Sequence, residues 1–146
     1  MKRAGFTMIE LIFVIVILGI LAAVAVPKLA ATRTDAEVAK MSTNVATVIS
    51  DIGSYYTSQG TLGANWSDMT NVALEASSGT KSTVTSGAAK LFSGTTECVA
   101  ITMNGAVADG NITVTTSNTG TPVCGAVNTK IDSMKKTHVF GGVGVK

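Results

Sequence analysis

The sequence predicts an α+β fold: a long amino-terminal helix, apolar in its first half and amphipathic in its second, packed against a small carboxy-terminal antiparallel sheet. Three observations predict it. Leu11 to Val26 carries no charge, and only Gly19 interrupts its bulk. Val38, Met41, Val45, Val48, Ile52 and Tyr55 then recur at alternating intervals of three and four, which is one face of a helix. From Glu97 the apolar period changes to two, and Asn104-Gly105 and Asp109-Gly110 supply hairpin turn signals.

The first element admits two readings. Lys2 and Arg3 form a basic start, the apolar run follows, and Ala23-Val24-Ala25 offers a small-x-small site for a signal peptidase cutting after Ala25. Alternatively the segment is a retained membrane helix. Phe6 to Val26 spans ~31 Å at ~1.5 Å per residue, the thickness of a bilayer core. Lys2 and Arg3 would then lie on the cytoplasmic side, with the bulk of the chain across the membrane. Glu10 fits the first reading poorly. A carboxylate near the middle of a membrane helix costs ~2.5–3.5 kcal/mol, and less towards the interface, so an acid retained there implies a role and a partner.

The helix continues past Pro27 in pattern, from about Thr7 to about Tyr56. Pro27 removes one backbone hydrogen bond and should kink or loosen it, as Gly19 should more weakly. Asp35 and Glu37 fall on the side opposite the Val38–Tyr55 stripe, with Lys40 nearby. Gly53 weakens the last turns, and Gly60 is the expected stop. The stripe covers fewer than three heptads, so it should pack under the chain's own sheet rather than in a coiled coil.

Residues 57–96 read as a connector rich in Gly, Ser and Thr. Ser67 is a candidate cap for a short helix through Met69, Val72, Ala73 and Leu74, ending before Gly79. Ala88 to Phe92 reads as a further turn or strand. Beyond it, Val99, Ile101 and Met103 alternate with Cys98, Ala100 and Thr102, and Ile112 and Val114 with Thr113 and Thr115. This predicts a hairpin of roughly 97–103 with 111–117, apolar side towards the long helix. A further strand near Val123 to Val127 would follow the Gly120-Thr121-Pro122 turn. Cys98 points away from the helix in this scheme, placed to staple the segment carrying Cys124. In an exported chain an even cysteine count favours that disulfide; two free buried thiols are the alternative.

At 146 residues there is room for an anchor and one domain. Charged residues are only 14%, and without Lys2 and Arg3 the nine acids meet as many bases. A near-neutral chain is a poor general nucleic-acid binder, because phosphate contacts supply most of that affinity. Lys130, Lys135, Lys136, His138 and Lys146 read as a solvated basic end. No His, Cys, Asp or Glu cluster has metal-ligand spacing and no nucleophile motif is visible, so neither an enzyme nor a cofactor or metal site is expected.

The string Lys2-Arg3-Ala4-Gly5-Phe6-Thr7-Met8-Ile9-Glu10-Leu11 resembles the leader and cleavage site of type IV pilins and type II secretion pseudopilins. The resemblance is strong over roughly the first 35 residues, and Met8 stands where Leu is more usual. It implies a cut between Gly5 and Phe6, before the apolar run, by a prepilin peptidase that also N-methylates Phe6. It makes Glu10 the family's acid, and Gly19 and Pro27 its helix-weakening positions. Residues 1–5 become the leader, 6–27 the transmembrane and filament-core helix, and 28–58 its amphipathic continuation. Residues 59–96 become the variable connector and 97–146 the small sheet region with the disulfide.

The implied function is a structural subunit, pilin or pseudopilin, of a type IV pilus-like or type II secretion filament. Secretion pseudopilins, adhesive pili and DNA-uptake pseudopili all fall within the resemblance. The implied partners are the peptidase/methyltransferase, further pilin-like subunits in a homo- or hetero-polymer, an inner-membrane platform protein and an assembly ATPase. The subunit would sit in the inner membrane, amino terminus cytoplasmic and carboxy-terminal part periplasmic, before joining a periplasmic or cell-surface filament. After cleavage the Phe6 ammonium lies one turn from Glu10. In a stack, Glu10 of one subunit would meet the Phe6 ammonium of a neighbour and set the register; the plainer reading is an acid at headgroup level, favoured by the helix dipole. A carboxy-terminal disulfide in this family often fixes a loop at the filament surface. Major secretion pseudopilins usually carry acidic calcium ligands near the end, whereas only Asp109 and Asp132 follow Glu97 here. Asp109-Gly110-Asn111-Ile112-Thr113 also resembles an extended bacterial N-glycosylation acceptor at Asn111, although Asp-Gly more plainly marks a turn before a strand.

Overall fold

The computed structural model describes residues 5–77, 80–81 and 87–141. The chain divides into two compact units, residues 1–35 and 36–146. Helix α1 is assigned without interruption over Met8–Gln59, through Gly19 and Pro27. It stops where a left-handed residue is available: Gly60 has φ +71° and its N–H donates to the Tyr56 carbonyl at 2.8 Å. A left-handed backbone is free of strain only for glycine, which has no Cβ, and that is why the chain can turn there.

In the second unit, α1 is followed by α2 (Trp66–Met69), β1 (Glu75–Ser77), β2 (Thr80–Lys81), β3 (Ala89–Ser93) and β4 (Thr96–Met103). A single 3₁₀ turn at Val107–Asp109 leads to β5 (Asn111–Thr116), then α3 (Pro122–Lys130), a second 3₁₀ turn (Asp132–Met134) and β6 (Thr137–Val139). The described strands form one antiparallel sheet in the order β2-β1-β3-β4-β5-β6. The expected hairpin is its centre: Val99 faces Thr116, Ile101 faces Val114 and Met103 faces Ile112. Met41, Val45, Val48 and Ile52 of α1 are buried in one cluster with Leu91, Val99, Ile101, Ile112 and Val114, while Val38 and Tyr55 at the ends of the stripe are partly buried. The three-and-four spacing on α1 and the two-residue spacing on β4 and β5 therefore present complementary apolar faces to one core.

Four expectations are corrected. Residues near Val123 to Val127 form α3, not a strand. Pro122 stands in the first helical turn, where its fixed φ helps and its missing N–H costs nothing. Cys124, Val127 and Ile131 then fall three and four residues apart, and all three are fully buried. Second, the short helix is only Trp66–Met69, and its cap position is Asn65, not Ser67. The chain is extended by Glu75, where β1 begins, with Leu74 buried and Ala73 exposed, a period of two read as helical. Third, the basic end contributes β6, which pairs with β5, and Lys135 is held by Asp132 at 2.9 Å and by Asn128 Oδ1 at 2.6 Å rather than being solvated. Lys146 lies outside the described residues. Fourth, Glu37 is half-buried, and its Oε2 accepts a hydrogen bond from Ser93 Oγ of β3 at 3.1 Å. It marks the edge of the α1–sheet contact, not the solvent side.

Candidate functional site

The amino-terminal segment is built around the first turn of α1. Gly5, Phe6 and Thr7 precede the helix in non-helical conformation. The Thr7 carbonyl accepts the first helical hydrogen bond, from the Leu11 N–H at 3.2 Å. The Glu10 N–H donates to Thr7 Oγ1 at 3.3 Å. In return Glu10 Oε2 accepts from the Thr7 N–H at 2.8 Å and from the Thr7 hydroxyl at 2.6 Å. Thr7-x-x-Glu10 is thus a capping box, with two orphan helix donors satisfied reciprocally and a carboxylate placed at the positive end of the dipole. Residue spacing alone carries this signal: Thr followed three residues later by Glu, directly before an apolar run.

From Leu11 to Val26 the first unit is uncharged and uncovered. Phe6 is 91% exposed, and the large side chains from Met8 to Leu29 are all exposed. A stretch of α1 has mean hydropathy 3.1 with none of it buried, long and apolar enough to cross a membrane. A Cβ added at Gly19 would meet nothing within 4 Å. The Gly5–Phe6 bond lies before the helix, whereas Ala23-Val24-Ala25 lies well inside it.

Cys98 and Cys124 are joined by a disulfide between β4 and α3, with Cα atoms 4.8 Å apart and both residues fully buried. Cys98 lies on the sheet face opposite Val99, and α3 covers it there. Beside it Glu97 collects three partners from distant parts of the chain. Lys90 Nζ of β3 lies 2.7 Å from its Oε2, Ser117 Oγ donates to its Oε1 at 2.9 Å, and Asn118 Nδ2 donates to its backbone carbonyl at 2.8 Å. The hydrogen bond from Lys90 holds the Glu97 carboxyl below its ordinary range; partial burial opposes this and Ser117 reinforces it.

The two late acids are engaged locally. Asp109 Oδ2 accepts from the Ala106 N–H at 2.9 Å, and Asp132 pairs with Lys135. Among the described residues no group of three or more His, Cys, Asp or Glu side chains is placed to hold a metal ion. Asn111 opens β5 opposite Val139, directly after the turn at Gly110, so this string is a turn followed by a strand.

Residues 1–26 match the family model described as the prokaryotic N-terminal methylation motif, the prepilin-type signal. No curated protein and no solved structure matches the chain.

Proposed function

We propose that this chain, which carries a prepilin-type methylation motif, is the precursor of a pilin or pseudopilin that polymerises through its amino-terminal helix. The observation that carries the reading is the position of the motif against the helix start. The expected scissile bond, Gly5–Phe6, is outside α1 and exposed, while the apolar side chains behind it have no cover of their own. Hydrolysis would release the leader ending in the Gly5 carboxylate and leave an ammonium on Phe6. Methylation of that amine keeps its positive charge. Residues 6–27 then serve first as membrane anchor and later as filament core. Exchanging lipid for neighbouring helices changes little in hydrophobic free energy, so register rests on packing and polar contacts.

In this reading Glu10 docks on the Phe6 ammonium of a neighbouring subunit, since an unpaired carboxylate in an apolar core is strongly unfavourable. Gly19 and Pro27 are the positions at which the helix would loosen during assembly. The subunit starts in the inner membrane with its amino terminus cytoplasmic, and the platform protein, assembly ATPase and peptidase act on it there. Its chemistry is done to it, and it acts as a structural subunit rather than an enzyme.

Amino-terminal sequencing with intact mass on material from the native host tests the proposal. A product beginning at N-methylated Phe6 supports it, and one beginning at Val26 overturns it in favour of a secreted domain.

A further inference from the structure

We infer that Asn104 is a self-modifying position, whose side chain closes on the Gly105 backbone nitrogen and loses ammonia. Asparagine occurs at 44, 65, 71, 104, 111, 118 and 128, and the residue that follows is β-branched or Trp at every position except 104. Only Gly105 leaves the next backbone nitrogen unhindered. The fold makes this glycine obligatory. Its φ is +84°, and a Cβ there would stand 2.5 Å from Asp109 Oδ2. The turn that joins β4 to β5 therefore imposes the reactive pair.

The geometry also separates the two glycine pairs of this turn. Asn104 is exposed, and the Gly105 N–H has no acceptor among the described residues, whereas the N–H groups of Asn104, Ala106 and Asp109 are all bonded. Asp109-Gly110 is closed to the same reaction. Asp109 Oδ2 accepts from the Ala106 N–H, and Gly110 is buried against Tyr56, whose ring lies 2.5 Å from where a Cβ would stand. One contact opposes reaction at Asn104: Nδ2 donates to Thr113 Oγ1, which lies 2.8 Å from Thr137 Oγ1. A single neutral hydrogen bond slows the departure of Nδ2 by no more than about tenfold.

The reaction needs only water. The Gly105 nitrogen bonds to Asn104 Cγ, the Cγ–Nδ2 bond breaks, and the Gly105 amide proton leaves with Nδ2 as ammonia. One water then opens the cyclic imide. Opening at Cγ gives aspartate. Opening at the backbone carbonyl carbon gives isoaspartate, whose main chain runs through the former side chain. Either product adds one negative charge in the turn that already holds Asp109. Either also puts an acceptor where Nδ2 donated, so the Thr113 hydroxyl must rotate to become the donor. Isoaspartate further adds one carbon to the main chain beside the Asn104 N–H, which donates to the Asn111 carbonyl at 3.0 Å.

The full-length protein, purified in detergent and held in mildly alkaline buffer, is followed by peptide mapping with fragmentation. Residue 104 is expected to become one mass unit heavier and its peptide to split into two chromatographic species, one of them a substrate for an isoaspartyl methyltransferase. One ammonia should be released per conversion, and the other asparagines should keep their mass. Mildly acidic buffer should slow the change, because the attacking nitrogen must give up its proton. Asn104→Gln keeps a side-chain amide but needs a larger ring to cyclise, and should lose both the mass gain and the ammonia.

If residue 104 stays asparagine while a synthetic peptide of residues 101–107 converts in the same buffer, the fold protects the site and the inference is overturned. Conversion that begins only once urea has unfolded the chain overturns it in the same way. Conversion at another asparagine, or isoaspartate at 109, ahead of any change at 104 overturns it as well.

Discussion

Two stretches of α1 have the same helical backbone and opposite surroundings. From Met8 to Leu29 the large apolar side chains are exposed, whereas Met41, Val45, Val48 and Ile52 are buried, three of them completely. Within the first stretch, Leu11 to Val26 is apolar all round, so it has no polar face to turn to water and needs lipid or other helices on every side. The second has a stripe one residue wide per turn, and the chain's own sheet is enough to cover it. Breadth of the apolar surface, not helix propensity, separates an element that requires outside partners from one that completes its own domain.

The largest effect expected from this contrast is a charge placed on either side of it. Ile52→Asp buries an unpaired carboxylate among Val48, Val99 and Ile101, and should destabilise residues 36–141 by more than about 4 kcal/mol. That is enough to abolish the cooperative thermal transition of the purified full-length chain in detergent. Ile15→Asp, in the exposed run, should leave that transition unmoved and instead lower recovery of the chain in the membrane fraction. Equal melting losses from both would erase the distinction.

Next in size is the disulfide, which belongs to the self-completing region alone. Closing a loop with a sequence separation of 26 contributes roughly 3.5 kcal/mol in the chain-entropy picture. Reduction of the full-length protein should lower the denaturant midpoint of residues 36–141 accordingly, with no change in helix content attributable to residues 8–29. Co-loss of both would mean that the two stretches are not independent.

A smaller effect is expected at the boundary where α1 ends. Gly60→Ala places a Cβ at φ +71° and should cost about 1 kcal/mol, read as a lower thermal midpoint, although no neighbouring atom obstructs it. An unchanged midpoint would show that the stop is set by the loop that follows, not by this residue.

The same contrast explains which parts of the molecule were legible as sequence. Both halves of α1, the β4–β5 hairpin and the Gly60 stop were readable because periodicity or a glycine decides them locally. β1, β2 and β6 were not, since strands of two or three residues bury nothing by themselves and exist only through a neighbour: Glu75 against Lys90, Thr137 against Thr113. α3 was misread because Val123, Gly125 and Val127 fit a period of two as well as the chain fits a helix, and only burial of Cys124, Val127 and Ile131 on one face decides between them. At the amino terminus the methylation motif that residues 1–26 match was legible in Gly5, Phe6 and Glu10. The Thr7–Glu10 box was equally local and was missed by asking only which charge could neutralise Glu10. The Lys90–Glu97–Ser117 cluster could not have been read, because its members come together only when β3, β4 and the residue after β5 are in register.

That difference between a local acid and an assembled one gives the smallest and sharpest test. Glu97 owes its low pKa first to Lys90, and the Lys90 contact exists only in the folded domain. Its folded pKa lies below its unfolded value, so the unfolded chain binds the proton more readily. The stabilisation is therefore present above the usual carboxylate range and is lost as pH falls through that range towards the folded value. With both side chains partly exposed, the effect should be on the order of 1 kcal/mol or less. Denaturant midpoints of the parent should fall between neutral and acid pH by more than those of Glu97→Gln, which removes this titration while keeping an acceptor for Ser117. In urea sufficient to unfold residues 36–141, the same Glu97 carbon resonance should titrate at an ordinary carboxylate value. The Thr7–Glu10 box, made within one turn, should show the same Glu10 amide exchange rate in detergent micelles with and without that urea. If the box opens together with the domain, Glu10 is held by more than Thr7, and the separation between the two stretches of α1 fails at its most local point.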